Sequence, residues 1–152
     1  MEFESTEKLQ MIYETLKNID TAITRLQERT VQIHSVDDFL LSPFGMEKLD
    51  AACMVIIGLG EAVKTLDKLT NKQLLPTYPS IDWKKVMGAR DIMAHHYFEV
   101  DADEIFSIIK NDIQPLKVAI AYFKEQLFSN NEVHSRTDLS AHKRIKGTGL
   151  SL

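Results

Sequence analysis

The most apolar stretch of the chain decides the fold: residues 43–69 read PFGMEKLDAACMVIIGLGEAVKTLDKL. Ser42 and Pro43 suit a helix N-terminus. A serine side chain can accept a hydrogen bond from a free backbone amide of the first turn, and proline is tolerated at the first helical position. The apolar residues cover more than one face, which predicts a long helix in a central position. Gly58 and Gly60 each cost a helix about 1 kcal/mol relative to alanine, so they indicate close approach of another helix or a ligand.

Amphipathic helices are predicted on both sides of this stretch. Upstream, apolar residues recur at steps of three and four between about residues 8 and 32, at Leu9, Ile12, Tyr13, Leu16, Ile19, Ile23 and Leu26. Ser35 and Asp38 then resemble a capping box and predict a short helical turn. Downstream, Asp101 and Glu104 open a helix along Ile105, Ile108, Ile109, Ile113, Leu116, Ile120 and Phe123. Pro115 is expected to kink that helix.

Between the central and the last helix, residues 70–79 are predicted to be a loop, since they hold Asn71, Pro76 and Pro79. Ser80 or Asp82 can cap the helix that follows, with Trp83 on its buried side. No window alternates apolar and polar residues as a strand would. We therefore predict an all-α antiparallel bundle of four to five helices over residues 1–128, followed by a polar, flexible tail over residues 129–152.

Composition limits the function. The chain has 152 residues, of which 44% are hydrophobic, and a formal net charge of -4, which argues against a broad nucleic-acid surface. Any contact with RNA must then be local. The single cysteine, Cys53, excludes an intramolecular disulfide and a thiolate metal cluster. With no secretory signal and no apolar stretch near 20 residues, we expect a cytoplasmic protein with no membrane association.

The densest chemistry lies in residues 88–97, GARDIMAHHY. On a regular helix each residue advances about 100°, so Asp91 and His95 lie about 40° apart and Asp91 can orient the imidazole. Arg90 and Tyr97 lie about 20° apart, whereas Arg90 and His95 are about 140° apart. Arg90 and His95 converge only if the helix bends or ends near Ala94, or if two subunits supply them.

These residue types suit RNA cleavage without a metal or other cofactor. An imidazole can exchange protons with a 2'-hydroxyl or a leaving 5'-oxygen, and a guanidinium can hold the phosphate. The plainer alternative is a solvated helix surface. A metal site built from Asp91, His95, His96 and Glu99 is disfavoured, because adjacent histidines on a helix point about 100° apart.

The arrangement Arg-x4-His-x-Tyr from Arg90 to Tyr97 resembles the signature of the HEPN superfamily, specifically the HepT-like toxins paired with minimal nucleotidyltransferase (MNT) antitoxins. Gly60-Glu61-Ala62, Ile81-Asp82-Trp83 and Val100-Asp101 are also similar to sites of that family. Together these similarities extend over roughly residues 9–123, the whole predicted bundle.

The resemblance implies a HEPN bundle that dimerises, with the two motif helices lining a shared cleft. It implies a metal-independent endoribonuclease toxin in which Arg90 and His95 are catalytic and Asp91 supports them. Tyr97 would be the residue that a nucleotidyltransferase antitoxin modifies with AMP, which would block RNA. His96 and Glu61 are candidate supporting residues. The alternative is a non-catalytic HEPN module that holds a nucleotidyltransferase or a nucleotide and uses Arg90 as an anion clamp.

Overall fold

The computed structural model describes residues 5–94 and 101–129, and every regular element in these ranges is helical. The helices are α1 (Thr6–Arg29), α2 (Val36–Leu40), α3 (Pro43–Leu69), α4 (Trp83–Met87), α5 (Ala89–Ala94), α6 (Ala102–Ser107) and α7 (residues 113–129). A 3-10 turn at Leu75–Thr77 lies in the loop after α3, and a π-helical turn at Ile108–Asp112 joins α6 to α7. The predicted all-α fold is confirmed.

Short polar side chains begin the helices as the sequence predicted. Ser42 Oγ accepts from the amide of Gly45 at 2.9 Å, and Ser35 Oγ accepts from that of Asp38 at 3.4 Å. Asp38 Oδ2 in turn accepts a hydrogen bond at 2.8 Å from the amide of His34, the residue before the cap, which is one position short of a capping box. Asp101 caps α6 by accepting from the amide of Glu104 at 3.1 Å.

The core forms where α1 and α7 meet α3. The predicted α1 stripe is buried at Ile12, Leu16, Ile19, Ile23 and Leu26. From α7, the buried side chains are Ile113, Leu116, Ala119, Ile120, Phe123 and Phe128. Helix α3 contacts α1, α2, α4, α5 and α6, which confirms its predicted central position.

The last helix departs from regular geometry before Pro115. In the π turn the amide of Ile113 donates to the carbonyl of Ile108, five residues back. The sequence predicted that Pro115 would kink a regular helix, because proline cannot donate to the carbonyl four residues before it. The irregularity that the structure shows is a widened turn just upstream of the proline, and the predicted kink stays a prediction.

The predictions of a polar tail and of no membrane association can be compared with the structure only over the described residues. Of the predicted tail, only Ser129 lies within the described residues, at the last position described in α7. The division into a bundle domain and a tail therefore stays a prediction. Among the described helices, none is long and apolar enough to cross a membrane.

Candidate active site

Helix α4 is fixed to the core at its first residue. Asp82 Oδ1 accepts from the amide of Lys85 at 3.2 Å, so Asp82 rather than Ser80 is the cap. Trp83 is buried, and its indole Nε1 donates to the carbonyl of Tyr78 at 2.9 Å. The Trp83 ring also lies 5.6 Å from the Phe123 ring, measured between centroids. We call α4 and α5, which lead into the segment from Arg90 to Tyr97, the motif region. Trp83 thus fixes the start of the motif region against α7.

A break at Gly88 separates α4 from α5. The amide of Gly88 donates to the carbonyl of Lys84 at 3.0 Å and closes α4. The carbonyl of Gly88 then accepts from the amide of Asp91 at 3.0 Å, in the first turn of α5. Residues 83–94 are therefore two short helices, whereas the sequence suggested one. The break lies before Arg90, so the angular positions within residues 89–94 still follow a helix.

The motif region contacts α3 at Gly60. A Cβ added to Gly60 would lie 2.7 Å from the Val86 carbonyl oxygen and 3.4 Å from Ala89 Cβ. Ala89 is itself buried. The predicted close approach of another helix is confirmed at Gly60. Within the described chain no other helix approaches Gly58, where an added Cβ would meet nothing within 4 Å, so the alternative of a ligand stays a prediction there.

Arg90 and Asp91 follow directly after the buried Ala89, and both are exposed. The helix thus presents a guanidinium and a carboxylate to solvent from a backbone that is fixed one residue earlier. His95, His96, Tyr97 and Glu99 lie outside the described residues. The expected Asp91–His95 hydrogen bond and the meeting of Arg90 with His95 therefore stay predictions.

Glu61 was a candidate supporter of Arg90. Its carboxylate pairs with Lys64, one turn along the same helix, at 3.2 Å between Oε1 and Nζ. Both side chains are more than 40% exposed, so this pair contributes little to stability. The contact that Glu61 makes in the structure is therefore local to α3.

Two observations concern metal and thiol chemistry. Across residues 5–94 and 101–129, no three His, Cys, Asp or Glu side chains are grouped as metal ligands. Cys53 is buried, and burial, reinforced by the negative charge of Asp50, raises the pKa of its thiol to about 11. The thiol is therefore protonated at neutral pH and packs as a small apolar group.

A cavity of about 390 Å³ opens beside the motif region, and we name it the π-turn cavity. Its floor is apolar and is formed by Ile56, Leu59, Val86 and Ile113. Its rim is polar and is formed by Ser80, Asp82, Lys85, Asn111 and Asp112. Ala89, the residue before Arg90, also lines it. The sequence analysis did not predict this cavity, because it did not predict the π turn that forms one of its walls.

Comparison with known proteins places the chain in a family. The model of the ribonuclease HepT-like family matches residues 19–123, which include α3, α4, α5 and the segment from Arg90 to Tyr97. The chain therefore belongs to the HepT-like ribonuclease family.

Several archaeal relatives are similar over parts of the chain. A Methanocaldococcus jannaschii protein, named as a gamma-glutamylcyclotransferase and, by inference, an RNase, is 33% identical over 115 residues, which cover 76% of this chain and 48% of the relative. A second protein of that organism, named by inference as an RNase, is 28% identical over 57 residues, or 38% of this chain and 52% of the relative.

A Thermococcus cleftensis protein named as a probable ribonuclease HepT is 32% identical over 102 residues, or 67% of this chain and 86% of the relative. The chain spans about half the length of the two Methanocaldococcus relatives. No solved structure gives a significant match.

Proposed function

We propose that the protein is a metal-independent endoribonuclease in which Arg90 and His95 act on one RNA phosphate. The observation that carries the proposal is the exposed Arg90 and Asp91 pair on a helix fixed by Ala89 against Gly60, in a chain of the HepT-like family. An exposed guanidinium on a fixed backbone can hold a phosphate without first giving up a buried partner.

The reaction needs only these side chains and the RNA itself. His95 takes the proton of a ribose 2'-hydroxyl, and the 2'-oxygen forms a bond to the adjacent phosphorus. The bond from phosphorus to the 5'-oxygen breaks, and that oxygen takes a proton from an imidazolium. Arg90 donates to the phosphate oxygens as their negative charge increases. The products are a 2',3'-cyclic phosphate and a 5'-hydroxyl.

We propose further that the site is shared by two copies of the chain. Arg90 and His95 lie about 140° apart on a regular helix, so one straight helix cannot aim both at one phosphate. A two-fold axis beside α5 would set Arg90 of one protomer opposite His95 of its partner. Asp91, about 40° from His95, would then hold that imidazole in its working orientation.

The proposed regulator is an MNT-type nucleotidyltransferase that silences the protein as an antitoxin by placing AMP on Tyr97. A bulky anion at Tyr97, about 20° from Arg90 around a helix, would occupy the guanidinium and repel RNA. Intact mass of the protein coexpressed with such a partner should rise by one or more AMP units, and Tyr97→Phe should abolish the rise. A rise that survives Tyr97→Phe would exclude Tyr97 as the acceptor.

The second candidate is a non-catalytic module that holds a nucleotidyltransferase or a nucleotide. The net charge of -4 favours it, since a nonspecific ribonuclease usually gains affinity from a basic surface. In this alternative Arg90 binds an anion and His95 takes no part in chemistry.

Expression of the chain alone separates the two candidates. Under the ribonuclease proposal, the unchanged chain stops growth and degrades RNA, and His95→Ala and Arg90→Ala abolish both effects. The matched controls are His34→Ala and Arg25→Ala, which remove an exposed imidazole and an exposed guanidinium far along the chain from the motif. Intact RNA with the unchanged chain, or cleavage that persists in His95→Ala, would reject the ribonuclease proposal.

A further inference from the structure

We propose that the π-turn cavity binds an unstacked adenine or cytosine base of RNA, next to the phosphate held by Arg90. This inference rests on the proposed ribonuclease function and adds to it a base preference. Unstacked bases of single-stranded RNA are the usual targets of sequence-selective recognition, because their edges are free to form hydrogen bonds.

The size and lining of the cavity suit such a base. A volume of about 390 Å³ lies within the range of roughly 300–1,000 Å³ that is typical of small-molecule sites. Ile56, Leu59 and Ile113 on the floor are each 5% exposed or less, so they form a fixed apolar surface. A flat, weakly polar base covers such a surface at little desolvation cost and leaves its polar edge at the rim.

The cavity-lining Ala89 directly precedes the proposed catalytic Arg90, which does not itself line the cavity. Ala89 lines the cavity and Arg90 follows it, so their Cα atoms are about 3.8 Å apart. One strand of RNA could therefore place a base in the cavity while Arg90 holds a neighbouring phosphate. A base bound there would fix which phosphate meets the guanidinium.

Among the five polar side chains of the rim, the two carboxylates of Asp82 and Asp112 can only accept hydrogen bonds, and Lys85 alone can only donate. Asn111 donates one N–H of its side-chain amide to Ser107 Oγ at 3.2 Å, and its carbonyl oxygen remains available as an acceptor. The Asp112 carboxylate lies 3.7 Å from Lys85 Nζ, with the two side chains 49% and 53% exposed. That pair is long and solvated, so a ligand can replace it at small cost.

Acceptors at the rim select among the bases. Adenine and cytosine each present an exocyclic amine as a donor, whereas uracil presents a carbonyl oxygen at the corresponding place. A carboxylate facing that uracil oxygen gains no hydrogen bond and loses water. Lys85 could donate to that oxygen, but it is one ammonium group on a rim with two carboxylates. The cavity should therefore favour adenine and cytosine over uracil.

The π turn produces this rim. It makes the Ile113 amide donate to the Ile108 carbonyl, and Ile108, Asn111, Asp112 and Ile113 all line the cavity. A π turn has poorer hydrogen-bond geometry than an α-helical one, and such turns are frequent at functional sites. Because residues of the π turn line the cavity, ligand binding would be a functional reason for the turn in addition to core packing.

Binding of single-stranded RNA tests the proposal. The probes are oligonucleotides of roughly ten nucleotides made of adenylate, cytidylate or uridylate, together with free AMP, CMP and UMP. Dissociation constants are measured on full-length protein carrying His95→Ala, which prevents cleavage of the probe. We expect the adenylate and cytidylate oligonucleotides to bind about tenfold more tightly than the uridylate oligonucleotide.

Two variants of exposed rim residues test whether this preference arises in the cavity. Ser80→Trp should close its mouth and abolish the preference, and Asn111→Leu should reduce it. The matched controls are Ser129→Trp and Asn18→Leu, at exposed positions outside the cavity, and both should keep the preference.

Three outcomes would overturn the inference. They are equal binding of the three oligonucleotides, a preference that Ser80→Trp leaves unchanged, and free AMP binding as tightly as the adenylate oligonucleotide. The last result would make the cavity a mononucleotide site.

Unaltered protein that shows the preference but leaves RNA intact would contradict the ribonuclease proposal alone. Cleavage without the preference would contradict this inference alone.

Discussion

Gly60 holds the motif region against α3 because it has no side chain. A methyl group there would lie 2.7 Å from the Val86 carbonyl oxygen, and a backbone atom cannot move aside as a flexible side chain can. Gly58, two residues earlier, faces open space among the described residues. The two glycines look alike in the sequence, and the structure gives them opposite roles.

We therefore predict opposite effects of alanine at these two positions. Gly60→Ala should lower the free energy of unfolding by about 1–3 kcal/mol, because α4 and α5 must shift away from α3. Gly58→Ala should raise it by up to about 1 kcal/mol, since alanine is the better helix former. Chemical denaturation of the two variants measures both changes. Equal effects of the two substitutions would contradict the close approach at Gly60.

The thiol of Cys53 should be inert at neutral pH. Its pKa of about 11 in the folded chain lies above the ordinary value of 9.0, so the nucleophilic thiolate is scarce until the solution is strongly alkaline. The unfolded chain releases the thiol proton at a lower pH than the folded chain does. The contribution of the protonated thiol to the free energy of unfolding is therefore complete below pH 9 and is lost as the pH rises toward 11.

Alkylation of Cys53 by iodoacetamide at pH 7 should be slow in folded protein and fast in urea. Rapid labelling of folded protein would show that Cys53 is not buried.

At the scale of the helices, the sequence predicts where most of them start. Ser35, Ser42 and Asp101 are local signals, because a cap needs only one side chain and an amide two or three residues on. Two features escaped prediction. Gly88 is a residue type that often ends a helix, but the sequence was interpreted as one continuous helix across it. The π turn lies just before Pro115, for which the sequence predicted a kink and gave no sign of a widened turn.

The start of α4 gives a direct test, because the sequence left Ser80 and Asp82 as alternative caps. Asp82→Ala should lower the free energy of unfolding by about 1 kcal/mol, since the Lys85 amide loses its acceptor. Ser80→Ala should change it by less than about 0.5 kcal/mol. Thermal unfolding of both variants, with Asp82→Asn as a variant that keeps a capping oxygen, measures the difference. A larger loss for Ser80→Ala would contradict the observed cap.

At the scale of the whole molecule, the sequence indicated the fold class, the family and the candidate residues. It could not indicate how Arg90 is exposed or what lies beside it, because both depend on contacts between α3, α5 and the π turn. The structure describes Arg90 and Asp91, whereas the placement of His95 and Tyr97 rests on helical periodicity and on the family resemblance. The sharing of one site by two protomers stays a proposal.

Mixed dimers test that sharing. If each site takes Arg90 from one protomer and His95 from its partner, Arg90→Ala and His95→Ala proteins should each be inactive alone. A refolded equal mixture should regain about one quarter of the unaltered activity, because half of the dimers are mixed and each mixed dimer has one intact site. Each variant refolded alone is the control. No recovery in mixtures that contain mixed dimers would place both residues of a site in one protomer.

The most direct test of the central claim is cleavage of single-stranded RNA by purified protein in EDTA. We expect the unaltered chain to produce fragments ending in 2',3'-cyclic phosphate. Arg90→Ala and His95→Ala should each reduce the cleavage rate by at least about a hundredfold, while Arg25→Ala and His34→Ala retain it. Cleavage that requires added metal, or that persists at the full rate without Arg90 or His95, would contradict the ribonuclease proposal.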